Sequence, residues 1–340
     1  MESNVSYDLV RNYLKNYLHW DDDQIFITSL DQSSEFGSKA QAFAASGRQD
    51  VIVKIGDISP EYRTYQRLVD TLPNRLPKIL AVENHRFIIY EQVFGIRLLD
   101  LIIGKKDDQR LVAILKNILS DLTTLWSNRL PYKPPMRVSK VGLNLTAYLE
   151  KLTAMIPFDK RFTVNQSLMP SFGRMVWQLY YSLNAKAMTM ERNFSTHGDP
   201  WAGNIIVDEN GDYVLLDGRD GYDDWLDDFI KLSQWRKFFL IEDCSVSVCE
   251  SPKRIAIDYH VQYHPIVEQL ESITSAIGSA FAQRVGDTHW QKRYYLRTCI
   301  DHIRDAAREY WWPIYPPKTP QHQWLEVALA LEMFNQYLAC

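Results

Sequence analysis

The chain has 340 residues, 46% of them apolar and 24% charged, with a formal net charge of −4. That composition is globular and excludes a disordered, collagen-like or coiled-coil chain; the length suggests two domains or one large one, able to fold without disulfide or metal staples. A slightly acidic chain without a long basic arm does not suggest nucleic-acid binding, and its longest uncharged stretches, such as Ser272 to Gln283, fall far short of the roughly 18 residues of a membrane helix.

The opening MESNVSYDLVRNYL lacks the basic-then-apolar pattern of a secretory leader. The four cysteines, Cys244, Cys249, Cys299 and Cys340, form no Cys-x-x-Cys pair. They read as reduced thiols of a cytoplasmic protein.

In chain order, residues 5–18 carry Val5, Leu9, Val10, Tyr13, Leu14 and Tyr17 at helical spacing. Three strand-like runs follow, QIFITSLDQ, KAQAFAAS and DVIVKIGD, the last two joined by a Gly47-containing turn. Ser59-Pro60 followed by Glu61 is a helix start with Ser59 as expected N-cap, and Pro73 and Pro77 close the segment. Two more strand-like runs, PKILAVEN and RFIIYEQV, turn at Asn84-His85. Residues 20–94 therefore read as a small, mostly antiparallel sheet with one helix. From residue 95 the period changes to helical, over about 109–126, 143–155, 171–190, 226–240, 256–284, 290–310 and 322–337. The interruption at 194–217 holds two short strand-like runs, IIVD and YVLLD, around Glu209-Asn210-Gly211, a hairpin signal.

The chemistry concentrates at that interruption, in His197-Gly198-Asp199-Pro200-Trp201-Ala202-Gly203-Asn204, the hairpin, and Leu216-Asp217. A hairpin brings its two ends together, so Asn204 and Asp217 can face one point. An amide oxygen and a carboxylate are hard ligands of the kind that hold Mg²⁺ beside phosphates. Asp199, in the preceding loop, is placed to accept a proton from an attacking hydroxyl or to orient it.

This pattern, His-Gly-Asp-x-x-x-x-Asn, a short hairpin, then Asp, resembles the signature of the aminoglycoside phosphotransferase/choline kinase family, whose fold is protein-kinase-like. The resemblance implies an α+β chain of two lobes: residues 1–93 as a small antiparallel-sheet lobe, residues 94–340 as a larger, mostly helical lobe, with the nucleotide in the cleft between them. It implies a phosphotransferase using ATP (or GTP) and Mg²⁺ on a hydroxyl of a small molecule such as an amino alcohol, aminoglycoside, sugar or nucleoside. Asp199 would be the catalytic base, and Asn204 and Asp217 the metal ligands. Lys54 in VIVKIG looks like the family's phosphate-binding strand lysine and Glu61 like its helix partner. Glu91 to Val93 look like the adenine-binding hinge. Asp224 and Asp228 resemble the segment that buttresses the catalytic loop, where His197 is structural.

The chain departs from the pattern in two places. The expected phosphate-covering loop around Ser34 and Gly37 has one glycine and would use backbone and serine donors. Arg219 and Asp220 stand next to the metal site as candidate contacts for an acceptor or a phosphate, with Arg219 alternatively a partner of nearby aspartates. The aspartates from 217 to 228 read as helix caps and dipole partners, with attraction of a cationic acceptor as the alternative. Tyr310 to Tyr315 read as packing aromatics, with a stacking wall for an acceptor as the alternative. His260 and His264 lack a third ligand at metal-site spacing. Two rival functions remain in view: a nucleotide-binding regulatory protein without turnover, and a kinase of protein side chains. The absence of an evident long segment between Asp217 and Asp224 argues for small-molecule acceptors.

Overall fold

The computed structural model describes residues 3–21, 25–30, 40–83, 86–104, 108–130, 137–154, 156–183, 193–219, 224–234, 241–307 and 320–340. Ser34, Gly37, Asp220 and the aromatic segment 310–315 lie outside the described residues. Packing groups Met1–Arg129 with Phe194–Leu232 in one compact unit, and Leu130–Asn193 with Ser233–Cys340 in a second. The boundary expected at residue 93 falls just after the N-terminal five-stranded sheet. Packing follows a different line and keeps the helices Leu98–Gly104 and Asp108–Ser127, and the hairpin after them, with the sheet.

The first unit begins with helix α1 (Ser3–Leu18) and strands β1 (Phe26–Ser29), β2 (Ala40–Ser46) and β3 (Asp50–Gly56). Helix α2 (Ser59–Leu68) and strands β4 (Ile79–Glu83) and β5 (Phe87–Glu91) follow. The sheet is antiparallel, in the order β1-β2-β3-β5-β4. Its period-two alternation sorts the side chains. Phe43, Val51, Val53, Phe87 and Ile89 form one core with Val10 and Leu14 of α1. Ile88 and Tyr90 form a second with Ile58, against which Tyr62 and Tyr65 of α2 pack. Lys54, two residues from Ile52 and in register with Ile88, falls on the α2 side. The start of α2 differs by one step from the sequence reading: Ile58 is the N-cap, without a side-chain cap. Asp57 Oδ1 instead accepts from Ser59 N–H at 3.2 Å and from Ser59 Oγ at 2.7 Å.

The second unit packs the helices Arg137–Thr153, Phe172–Leu183, Ile266–Val285, Trp290–Ala307 and Pro320–Ala339 with a four-stranded sheet. That sheet corrects the sequence reading, which extends one helix over 256–284. Arg254–Tyr263 is a strand, paired antiparallel with Ile241–Glu250 and parallel with Arg161–Val164. The reason is visible in Ile255, Ile257, Tyr259, Val261 and Tyr263: β-branched and aromatic residues at period two, which favour a pleated surface. Pro265 then separates this strand from the helix that follows. His260 is on the strand, so the helical i,i+4 relation to His264 does not exist. Among the described residues no helix is long and apolar enough to cross a membrane, and all four cysteines are free.

Phe334 is fully buried in the second unit's core with Phe162, Phe172, Leu296 and Leu331. Phe334→Ala is expected to cost about 3–5 kcal/mol, read from urea unfolding. A loss below about 1 kcal/mol would contradict this packing.

Candidate active site

Lys54, Glu61, Asp199, Asn204, Asp217, Asp224 and Asp228 all belong to the first compact unit. Lys54 Nζ lies 2.8 Å from Glu61 Oε1 and is also hydrogen-bonded to Asp217 Oδ1. Burial alone would lower the Lys54 pKa; the carboxylates of Asp217 and Glu61 outweigh it and push the ammonium up. Burial would raise the Asp217 carboxyl, but Lys54 holds it below the ordinary value. Tyr90 completes this cluster, donating its hydroxyl to Glu61 Oε1 at 2.8 Å. Glu61 is therefore held from two sides, by Lys54 and by a buried phenol whose own pKa burial raises.

The hairpin Ile205–Val207/Tyr213–Leu215 is antiparallel, with Ile205 opposite Leu215. Asp208 Oδ1 forms its tight turn, accepting from Asn210 N–H at 2.9 Å and Asp212 N–H at 2.8 Å. At its base, Leu216 N–H donates to the Asn204 carbonyl at 2.8 Å, which places Asp217 one residue beyond. The Asn204 amide nitrogen donates to the Asp199 carbonyl at 3.1 Å, so its Oδ1 is the atom it offers to a ligand. Asp217 adopts φ 55°, a left-handed conformation that Asp tolerates and that often marks a functional site.

The 197–199 loop is fastened by backbone contacts. Arg219 N–H donates to the His197 carbonyl at 2.8 Å. Gly198 has φ 90°, and a Cβ there would lie 2.2 Å from the Arg219 carbonyl oxygen, so only glycine fits. Asp228, fully buried, accepts from His197 N–H at 2.8 Å and Gly198 N–H at 2.7 Å. It also accepts from Trp126 Nε1 at 2.9 Å. Burial raises the Asp228 carboxyl to about 7, against these donors. Asp224 caps the helix Trp225–Leu232, its Oδ1 accepting from Leu226 N–H at 3.1 Å. Arg67 of α2 donates to the Thr196 carbonyl at 2.8 Å, joining that helix to the same loop.

Asp199, nearly buried, sits between two cations: Arg219 Nη2 is 3.1 Å from Oδ2, and Lys231 Nζ is 3.4 Å from Oδ1. Arg219 thus pairs with an aspartate, one of its two expected roles. Lys231, Tyr90, Arg67 and Trp126 were not singled out by the sequence reading. For Lys231 a signal existed: it follows Asp228 by three residues on one helix, which puts both on one face. For Tyr90 the signal was a phenol inside an apolar strand, where its hydroxyl needs a partner.

In the expected hinge, Glu91 N–H donates to the Lys78 carbonyl at 2.9 Å, and Val93 makes no hydrogen bond among the described residues. Gly95 follows; a Cβ there would lie 2.4 Å from the Val207 carbonyl oxygen, so glycine allows this segment to meet the hairpin. Among the described residues no group of three or more His, Cys, Asp or Glu side chains is arranged to hold a metal. The donor pair here, an amide oxygen and a carboxylate kept ionised, suits Mg²⁺ completed by phosphate oxygens and water.

No family model matches the sequence, and no curated protein matches it. Solved structures do match its fold. Choline kinase from Cryptosporidium parvum Iowa II is 12% identical, with a TM-score of 0.54 over 98% of this chain and 94% of that one. The gentamicin–APH(2")-IIa complex is 15% identical, with a TM-score of 0.54 over 96% and 97%. A putative aminoglycoside phosphotransferase from Ralstonia eutropha JMP134 is 12% identical, with a TM-score of 0.55 over 98% of both chains. The chain has the kinase-like α+β fold shared by these proteins, as the sequence resemblance implied.

Burial holds the His197 imidazole at about 4, below its ordinary 6.5. As pH falls from about 6.5 to about 4, the unfolded chain takes up a proton that the folded one refuses, so stability is lost over that window. The loss amounts to up to about 3 kcal/mol. His197→Asn is expected to remove this part of the pH dependence, measured by urea unfolding at both ends of the window. An unchanged dependence would show that His197 is not kept neutral by burial.

Proposed function

We propose that the chain is a Mg²⁺-dependent phosphotransferase that moves the γ-phosphoryl group of ATP (or GTP) to a hydroxyl of a small molecule. The observation that carries this reading is the convergence of Lys54 and Glu61, of Asp199 and Asn204, and of Asp217, from three stretches of the chain, in one compact unit. The streptomycin–ATP–APH(2")-IIa ternary complex, 13% identical with a TM-score of 0.51, holds ATP in a similar fold.

In this reading Lys54, oriented by Glu61 and Tyr90, neutralises nucleotide phosphate charge. Backbone groups of Glu91 and Val93 meet the base, and Ser34 and Gly37 cover the phosphates. Mg²⁺, held by Asn204 and Asp217, would supply charge neutralisation across the phosphates. Asp199 orients the acceptor hydroxyl and takes its proton. His197, Asp224 and Asp228 fix the loop that presents Asp199, with Asp220 in the same acidic segment. Arg219 and Lys231 hold Asp199 in place before substrate arrives and add positive charge where the phosphoryl group is transferred. Two cations at this point favour a sugar or nucleoside hydroxyl over one with an ammonium group beside it.

The test is nucleotide consumption with Mg²⁺ against a mixed library of sugars, nucleosides, amino alcohols and aminoglycosides. Asp199→Ala is expected to lower turnover by roughly 10²–10⁴-fold. Lys231→Met is expected to lower kcat on the order of 10²-fold with little change in KM for nucleotide. Consumption of ATP and GTP no greater than that of the Asp199→Ala variant would overturn the reading.

A further inference from the structure

We propose that the sheet of the second compact unit carries a binding site for small phosphate-bearing anions, built from two Lys-Arg pairs. The strand Arg161–Val164 runs parallel to Arg254–Tyr263, in the register Arg161 with Arg254, Phe162 with Ile255 and Val164 with Ile257. Phe162, Val164, Ile255 and Ile257 are fully buried. Strand alternation therefore sends Arg161 and Arg254 together to the opposite face, where both are exposed. Lys160 and Lys253 precede them, and Arg161 N–H donates to the Lys253 carbonyl at 3.2 Å, so the two dipeptides lie side by side.

These four cations, with Asp159 and Pro252, line a hollow of about 500 Å³. Lys160 is ion-paired with Glu250. Arg161, Lys253 and Arg254 make no side-chain hydrogen bond or ion pair among the described residues. Like charges directly adjacent on neighbouring strands are destabilising, and a bound anion would remove that repulsion. The backbone that displays them is fixed: Ser251 N–H donates to the Arg254 carbonyl at 2.8 Å, and Arg254 N–H to Ser251 Oγ at 3.1 Å. Guanidinium forks match phosphate oxygens in pairs, and four cations against the single carboxylate of Asp159 favour an anion. Three uncommitted positive charges in a chain of net charge −4 suit a ligand with more than one negative charge.

The experiment is calorimetric titration of the full chain with pyrophosphate at low salt. It is run in a Lys54→Ala background, so that the proposed nucleotide phosphates' site does not contribute. The expected result is saturable binding that weakens more than tenfold in Arg161→Gln/Arg254→Gln. Arg254→Glu, which places opposite charges in register, is expected to raise Tm and to abolish the pyrophosphate signal. Absence of binding, or binding unchanged in the double variant, overturns the proposal. Association with phosphatidylglycerol-containing vesicles but not with pyrophosphate overturns it in favour of a lipid surface.

Discussion

The first compact unit is organised around one buried ammonium. Lys54 sits in a strand whose neighbours, Val51, Val53 and Ile52, belong to the two faces of an apolar sheet, and an unpaired charge there would be costly. Two carboxylates remove that cost, one local and one distant in sequence: Glu61 from the helix seven residues on, Asp217 from beyond the hairpin, 163 residues away. Meeting this constraint requires α2 to lie over the sheet and the hairpin to end beside it. The same contacts that make the lysine tolerable therefore assemble the site.

A second carboxylate does for the loop what Lys54 does for the sheet. Asp228 collects three N–H donors, two from consecutive residues of the 197–199 loop, in a fully buried position. Breaking such a set leaves donors buried without partners, which is more costly than the bonds are individually worth. The loop is thus fixed from below by Asp228 and from the side by the Arg219 backbone against Gly198. Asp199, itself nearly buried, is left with side-chain partners, Arg219 and Lys231, that a substrate could exchange with.

Most of the first unit was legible in the sequence, because each of its elements is marked locally. Alternation marked the five strands, Pro60 marked the helix start, and Asn210-Gly211 marked the hairpin that joins Asn204 to Asp217. The pairing of Lys54 with Glu61 came from resemblance and is present as a 2.8 Å contact. What sequence could not give were partnerships set by tertiary packing: Lys231 with Asp199, Tyr90 with Glu61, Trp126 with Asp228. In the second unit, Arg254–Tyr263 was misread because helical and alternating patterns overlap where apolar residues are dense. Its partner Arg161–Val164, four residues long, was not read as a strand either. The paired Lys-Arg dipeptides follow from that register alone, so they too were invisible in the sequence.

Asp217, paired with Lys54 in the free protein, is the carboxylate proposed to bind nucleotide through Mg²⁺. The most direct measurement is the change in Tm on adding ATP, and separately GTP, with and without Mg²⁺, in the wild type and in Asp217→Asn. The expected result is a nucleotide-dependent rise that is larger with Mg²⁺, with an Mg²⁺-dependent part that disappears in the variant. No rise with either nucleotide, or an Mg²⁺ effect that survives Asp217→Asn, would contradict it.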